Sequence, residues 1–303
     1  MNIEKYKDEF LSTIITYKNL SKKSVIAYNS DLLDYFIYYK KHKKKLFSNN
    51  VINDYFISLQ LDRKLKDSTI SRKFVTIKMY YNYLNEHHKI KNPFDKFNMK
   101  FKKEKALPKT ITINEVKRIL KTLYESIDES SEFTSFQSYR DLALIDLLIT
   151  SGIRIGEASL ITLDDIDFTN NIILIHGKGR KQRLIYISSI ETISNLKKYL
   201  EIRNERNCES NYLFVNKNGS QISINSIDNI YRKYKKKAKI NKHSTPHSLR
   251  HTFATNLLAN GADIRSVQEI LGHSNVSITE RYTEVTTKRK VEVLSKYNYR
   301  NSL

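Results

Sequence analysis

The chain has a single cysteine, Cys208, among 303 residues. This excludes an internal disulfide and any zinc site built from several cysteines. No apolar run reaches the roughly 20 residues that a membrane-crossing helix needs. The first residues, Met1-Asn-Ile-Glu-Lys-Tyr-Lys7, lack an apolar signal core. The expectation is a cytoplasmic protein with no membrane partner. Acidic residues are few beside basic ones: 32 Asp and Glu against 53 Lys and Arg, a net charge of +21. Such an excess suggests DNA or RNA as partner, because clustered Lys and Arg displace condensed counterions. A composition rich in Lys, Asn, Ile and Tyr, of the kind an AT-rich genome produces, would also raise the charge, so its distribution matters more. Residues 1–105 hold 23 basic and 11 acidic residues, net +12, and residues 106–303 hold 30 and 21, net +9. The shorter segment carries the larger excess.

No fixed-period repeat is visible. Apolar positions recur at helical spacing over residues 3–20, 25–39, 51–61 and 69–85, with Ser21 to Ser24 and Ser68 as candidate N-caps. The last of these helices carries Arg72, Lys73 and Lys78 on its other side, a candidate DNA-facing surface or a solvated face. The helical segment ends at Asn92-Pro93, and a Lys-rich stretch with little periodicity runs to Pro108. The expected organisation is a helical domain over 1–92, a basic linker over 93–108 and a second domain over 109–303.

In the second domain, Thr112 and Glu115 have capping-box spacing ahead of a helix. The polar stretch Glu125 to Ser138 is expected to be a loop. Tyr139 to Thr150 is apolar on every side and reads as a buried helix stopped by Gly152. Between Asp165 and Ile187, β-branched segments alternate with turn residues and predict a three-stranded meander. Lys178 falls in its second turn, between two glycines, with Arg180 and Lys181 beside it. Helices follow over Ile190 to Arg203, Ser226 to Lys239 and from Pro246, where proline suits a first turn. Asp263 caps another, which ends at Gly272; a short helix at Ser277 to Thr279 precedes Tyr282. The tail from Thr286 to Leu303 is apolar enough to pack, as a helix on its own domain.

Several chemistries lack a required part. His247 and His251 have zinc spacing on a helix, but Ser248 stands where a metalloprotease needs glutamate, and Arg250 beside the pair disfavours a cation. Gly177-Lys178-Gly179 lacks the spacing and the Ser or Thr of a nucleotide-binding loop. Asp164-Asp165, which could suggest a nuclease metal site, reads better as solvated carboxylates. No serine or cysteine has an evident base partner. What remains suits phosphate. Arg is planar and always charged; His247 and Arg250, at i and i+3, share a helical face; Arg154 follows a Gly break after a buried helix; His273 follows a glycine; and Tyr282 beside Arg281 could be a nucleophile. Each alone is weak.

As an ordered set they are specific. Ser151-Gly-Ile-Arg154-Ile-Gly-Glu157, His176-Gly-Lys178-Gly, Pro246-His247-Ser-Leu-Arg250-His-Thr-Phe-Ala-Thr, Leu271-Gly-His273 and Arg281-Tyr282-Thr283 resemble the signature of the tyrosine recombinase (phage integrase) family, most closely its Xer-type members. Leu20-Ser21 through Asp31-Leu32, and Ser68-Thr69 through Arg72, resemble the family's small helical domain. The resemblance implies a mainly α fold with a small antiparallel β-sheet: an N-terminal helical, SAM-like core-binding domain and a C-terminal mixed α/β catalytic domain. It implies Tyr282 as nucleophile, Arg154, Arg250 and His273 as phosphate ligands, His247 as base, Lys178 as acid and Glu157 in support, with no metal and no other cofactor. Arg72, Lys73, Lys78, Arg180 and Lys181 are the candidate DNA contacts. The implied partner is double-stranded DNA at a specific recombination site, bound by a homotetramer on two sites or together with a related partner recombinase. The alternatives are a type IB topoisomerase, which shares the chemistry, and a DNA-binding accessory protein that has lost it.

Overall fold

The computed structural model describes residues 3–18, 22–42, 49–96, 110–177, 182–206, 208–240, 243–272 and 283–303. The chain divides into two units, Met1–Ala106 and Leu107–Leu303. The fold is mainly α with one small antiparallel sheet. Among the described residues no helix is long and apolar enough to cross a membrane.

The first unit is built from α1 (Lys7–Lys18), α2 (Lys22–His42), α3 (Asn49–Leu61) and α4 (Asp67–His88), followed by a 3-10 turn at Pro93–Lys96. Its core is aromatic: Tyr35, Tyr55, Phe56, Tyr80 and Tyr81 are all fully buried. Tyr35 meets Tyr55 edge-on at 5.1 Å between ring centres, and the Tyr35 and Tyr81 hydroxyls lie 3.0 Å apart. Buried tyrosines need such partners, because an unbonded hydroxyl in an apolar core is costly. Ser68 does not cap α4. The cap position is Lys66, which makes no side-chain cap bond.

Lys73 corrects a second expectation. It belongs to no exposed basic face of α4 but is buried, its ammonium 2.8 Å from Asp34 Oδ2 and 3.3 Å from Asp31 Oδ1 on α2. Arg72 also bonds Asp31, and Thr76 Oγ1 donates to Asp31 Oδ2 over 3.0 Å. Lysine is buried only when paired, and two carboxylates one helical turn apart supply the pairing.

The second unit is organised on α6 (Glu132–Ser151), which follows α5 (Ile113–Tyr124) and is buried along nearly its whole C-terminal half and on every side. α8 (Ile190–Glu205) and α10 (Pro246–Ala259) pack on it. α6 starts within the stretch expected to be a loop. Ser131 and Thr134 form a reciprocal capping box there, and a hydroxyl at the far end does the work usually given to Glu or Gln. The Thr112–Glu115 box at α5 forms as the spacing predicts. The meander pairs β1 (Ile166–Asp167), β2 (Ile172–His176) and β3 (Gln182–Tyr186) in the order β1-β2-β3. α9 (Ile224–Lys237) is capped by Ser223, so it begins before Ser226. Asp263 caps α11 (Ile264–Leu271), its Oδ1 accepting from the Ser266 amide over 3.0 Å.

The final helix, α12 (Thr283–Tyr297), and the turn after it pack on their own unit. Val293, Leu294 and Tyr299 are buried, and Asn298 Nδ2 donates to Thr150 O over 2.9 Å. The expected helix at Ser277 to Thr279 lies outside the described residues.

Candidate active site

Three chain segments converge beyond the end of α6. The first is the break after that helix. Gly152 adopts φ +61, and a Cβ there would lie 2.9 Å from Cγ of the Phe253 ring on α10. Only glycine meets both conditions. The chain turns and enters α7 (Ile155–Ala158), with Arg154 at its N-cap position. Glu157 folds back: its Oε2 accepts from the Arg154 amide over 2.8 Å and its Oε1 from Arg154 Nη1 over 2.8 Å.

The second segment is α10. Pro246 occupies its first turn and Thr245 shares a reciprocal box with Ser248. Arg250, one turn in, points to the helix ends around it. Its Nη1 donates to Gly152 O over 2.7 Å and its Nη2 to Leu271 O over 2.6 Å. The third segment is the end of α11, where Gly272 takes φ +64. Arg250 thus ties the break after α6 to the end of α11, both rich in unpaired carbonyls.

The electrostatics are unusual for a buried cluster. Arg154, Arg183 and Arg250 surround one carboxylate, Glu157. Burial would push that carboxyl up, but bonds from Arg183 and from the Arg154 backbone and side chain outweigh it and hold it at about 2. Burial, then the charge of Arg154, lower the Arg250 guanidinium to about 10, which leaves it charged at neutral pH. Three guanidiniums against one carboxylate leave an excess of positive charge, and the Arg154 side chain is 41% exposed. Chemically, this arrangement suits a dianionic or monoanionic oxygen centre.

Of the sequence candidates, Arg154, Glu157 and Arg250 come together. His247 is exposed on α10, three residues before Arg250. Lys178, Arg180, Lys181, His273 and Tyr282 lie outside the described residues. Lys78 is partly exposed, its ammonium 6.0 Å from the Phe74 ring centre. His176, just before Gly177, is fixed by Asp165 Oδ1 at 2.8 Å and by Gln182 at 3.2 Å, which closes the base of the β2–β3 hairpin. Arg183 is the residue that motif reasoning passed over. A signal was available: in β3 it shares its side of the strand with Ile185, which is buried.

Comparison with known proteins agrees with this architecture. The model of the phage integrase family matches residues 109–289, and that of the phage integrase N-terminal SAM-like domain matches residues 8–88. A tyrosine recombinase of Agathobacter rectalis is 32% identical over 297 residues, covering 97% of this chain and 96% of the relative. Tyrosine recombinase XerC of Thermodesulfovibrio yellowstonii is 33% identical over 301 residues, covering 97% and 96%. Among solved structures, the XerH site-specific recombinase bound to its difH substrate before cleavage superposes with a TM-score of 0.69 at 20% identity, covering 93% of this chain and 83% of XerH.

Proposed function

The chain belongs to the phage integrase family and is a tyrosine recombinase, an enzyme that cleaves and rejoins DNA strands; on that premise we propose that Tyr282 is its nucleophile and that Arg154 and Arg250 bind the scissile phosphate. The observation that carries this reading is the meeting of Arg154 and Arg250, distant in sequence, around Glu157. A phosphodiester under attack gains negative charge on its non-bridging oxygens, and two fixed guanidiniums stabilise that charge without reorganising.

The remaining roles follow from chemical need. The tyrosine hydroxyl, with an ordinary pKa of about 10, gives its proton to His247 as its oxygen bonds phosphorus. The bond from phosphorus to the 5′-oxygen breaks, and that oxygen leaves as a hydroxyl, taking a proton from Lys178. His273 donates to a non-bridging oxygen. The 3′-phosphotyrosyl link keeps the energy of the broken bond, so an incoming 5′-hydroxyl can reverse the step without a nucleotide or a metal. Each chain carries one Tyr282, and exchange between two duplexes breaks four strands. A homotetramer on two specific DNA sites, or a mixed assembly with a related partner recombinase, meets that count.

Lys78, Arg180 and Lys181 are the DNA contacts this function retains; Arg72 is bonded to Asp31 but still partly exposed, whereas Lys73 is spent on two carboxylates. The setting is the cytoplasm, where the DNA is. The test is a duplex with a nick beside the cleavage position, incubated in EDTA without nucleotide. A covalent protein–DNA adduct is expected from the natural chain and none from Tyr282→Phe, with DNA binding retained. An adduct from the Phe variant refutes the assignment.

A further inference from the structure

Arg183 has no part in the reaction above, yet it is the guanidinium most committed to Glu157. It crosses from β3 and presents a two-point fork: Nη1 donates to Glu157 Oε1 over 3.0 Å and Nη2 to Oε2 over 2.8 Å. Its Nε donates to Ile270 O over 3.1 Å. The next carbonyl, Leu271 O, takes Arg250 Nη2. Two neighbouring carbonyls at the end of α11 are therefore held by two arginines. The stem of Arg183 passes beside Gly272, where a Cβ would stand 3.0 Å from Arg183 Cδ. A side chain at 272 would take its space.

The count of bonds on Glu157 matters. An ionised carboxylate offers about four acceptor positions. Oε1 serves Arg154 Nη1 and Arg183 Nη1, and Oε2 serves the Arg154 amide and Arg183 Nη2. With Arg183 in place, Glu157 has no room for a two-point fork with the Arg154 side chain. The Arg154 side chain is anchored to Glu157 through one nitrogen and is 41% exposed. Without Arg183, two acceptor positions open, and the fork of Arg154 can close on Glu157.

We propose that Arg183 is a positioning residue for strand cleavage. Acting through Glu157, it keeps the Arg154 guanidinium turned toward the scissile phosphate, and through Ile270 O it locks the end of α11 to the same cluster. This role rests on Arg154 contacting that phosphate.

The test uses the full chain and two nicked duplexes, one with an ordinary phosphodiester at the cleavage position and one with a methylphosphonate, which lacks a non-bridging charge. The natural chain should form an adduct on the phosphodiester and Tyr282→Phe should not; loss of that contrast overturns the parent function and the role of Arg183 with it. Given the contrast, Arg183→Lys keeps the charge but loses the fork, and Arg183→Met loses both. Both should bind DNA as the natural chain does and cleave the phosphodiester on the order of 10²-fold more slowly. Most of that loss should vanish on the methylphosphonate, and Arg183→Met should add nothing to Arg154→Ala in the double variant. Equal losses on both substrates, multiplying losses in the double variant, or full-speed cleavage by Arg183→Lys would overturn the role. If Arg183→Met fails to fold, Arg183→Lys and Glu157→Gln carry the same comparison, with the same substrate dependence expected of each.

Discussion

Arg300 Nε donates to Asp146 Oδ1 over 2.9 Å, joining the last residues of the chain to the middle of α6, and Asp146 is wholly buried. Asn195 Nδ2 bonds the other carboxylate oxygen at 2.8 Å. Two charges out of water are tolerated here because each faces a partner. Removing one leaves the other stranded, which costs about 3–5 kcal/mol. Asp146→Ala and Arg300→Ala should each lose about that much stability in urea unfolding, and Asp146→Leu with Arg300→Met should lose clearly less. A cost under about 1 kcal/mol for either single change would contradict a structural role for the tail.

Gly152 and Gly156 give a matched pair of substitutions. A Cβ at Gly152 meets the Phe253 ring and also needs φ +61, whereas one at Gly156 finds only Ile224 Cδ1 at 3.5 Å, an ordinary contact. Gly152→Ala should cost about 2–4 kcal/mol from overpacking and left-handed strain together. It should also slow adduct formation, since Gly152 O is a partner of Arg250. Gly156→Ala should stay within about 1 kcal/mol of the natural chain. Comparable losses at both positions would refute the packing argument.

Arg250→Ala should slow adduct formation roughly 10³-fold while DNA binding persists. It also leaves two buried carbonyls, Gly152 O and Leu271 O, without their donor, a cost of about 1–3 kcal/mol. Arg250→Lys restores charge but not the two divergent bonds, so it should recover little of the rate. Near-natural cleavage by either variant would remove Arg250 from the phosphate site.

Glu157 makes stability depend on pH in a definite direction. Its carboxyl is held at about 2 in the folded chain, below its ordinary value of 4.5. A depressed carboxyl contributes stability that is fully present above the unfolded value and is lost as pH falls through the folded one. The natural chain should exceed Glu157→Gln by roughly 2–4 kcal/mol at neutral pH. That difference should shrink steadily between about pH 5 and pH 2. A difference constant across that window would show that the Arg183 and Arg154 bonds do not depend on the charge of Glu157.

Much of this molecule is local and therefore legible in the sequence. Helices appear where apolar residues recur at helical spacing, and their ends where Thr112 with Glu115, Asp263, Pro246, Gly152 and Gly272 satisfy or release backbone groups within a few residues. The ordered motifs also identified the family, and they singled out Arg154, Glu157 and Arg250 as candidates, which the fold brings together. The start of α6 was hidden only because threonine took the place of glutamate in its capping box. What the tertiary structure alone decided is which charges meet. Lys73 was a candidate for a DNA-facing or solvated surface, but α2 brings Asp31 and Asp34 against it. Arg183 belongs to no motif in the sequence, and it is β3 that brings it to Glu157. Arg300 stands in the tail, and folding brings it to Asp146. The physical reason is the same in each case. A cation's exposure depends on whether folding brings a carboxylate close enough to replace its water, and those carboxylates lie 26 to 154 residues away along the chain.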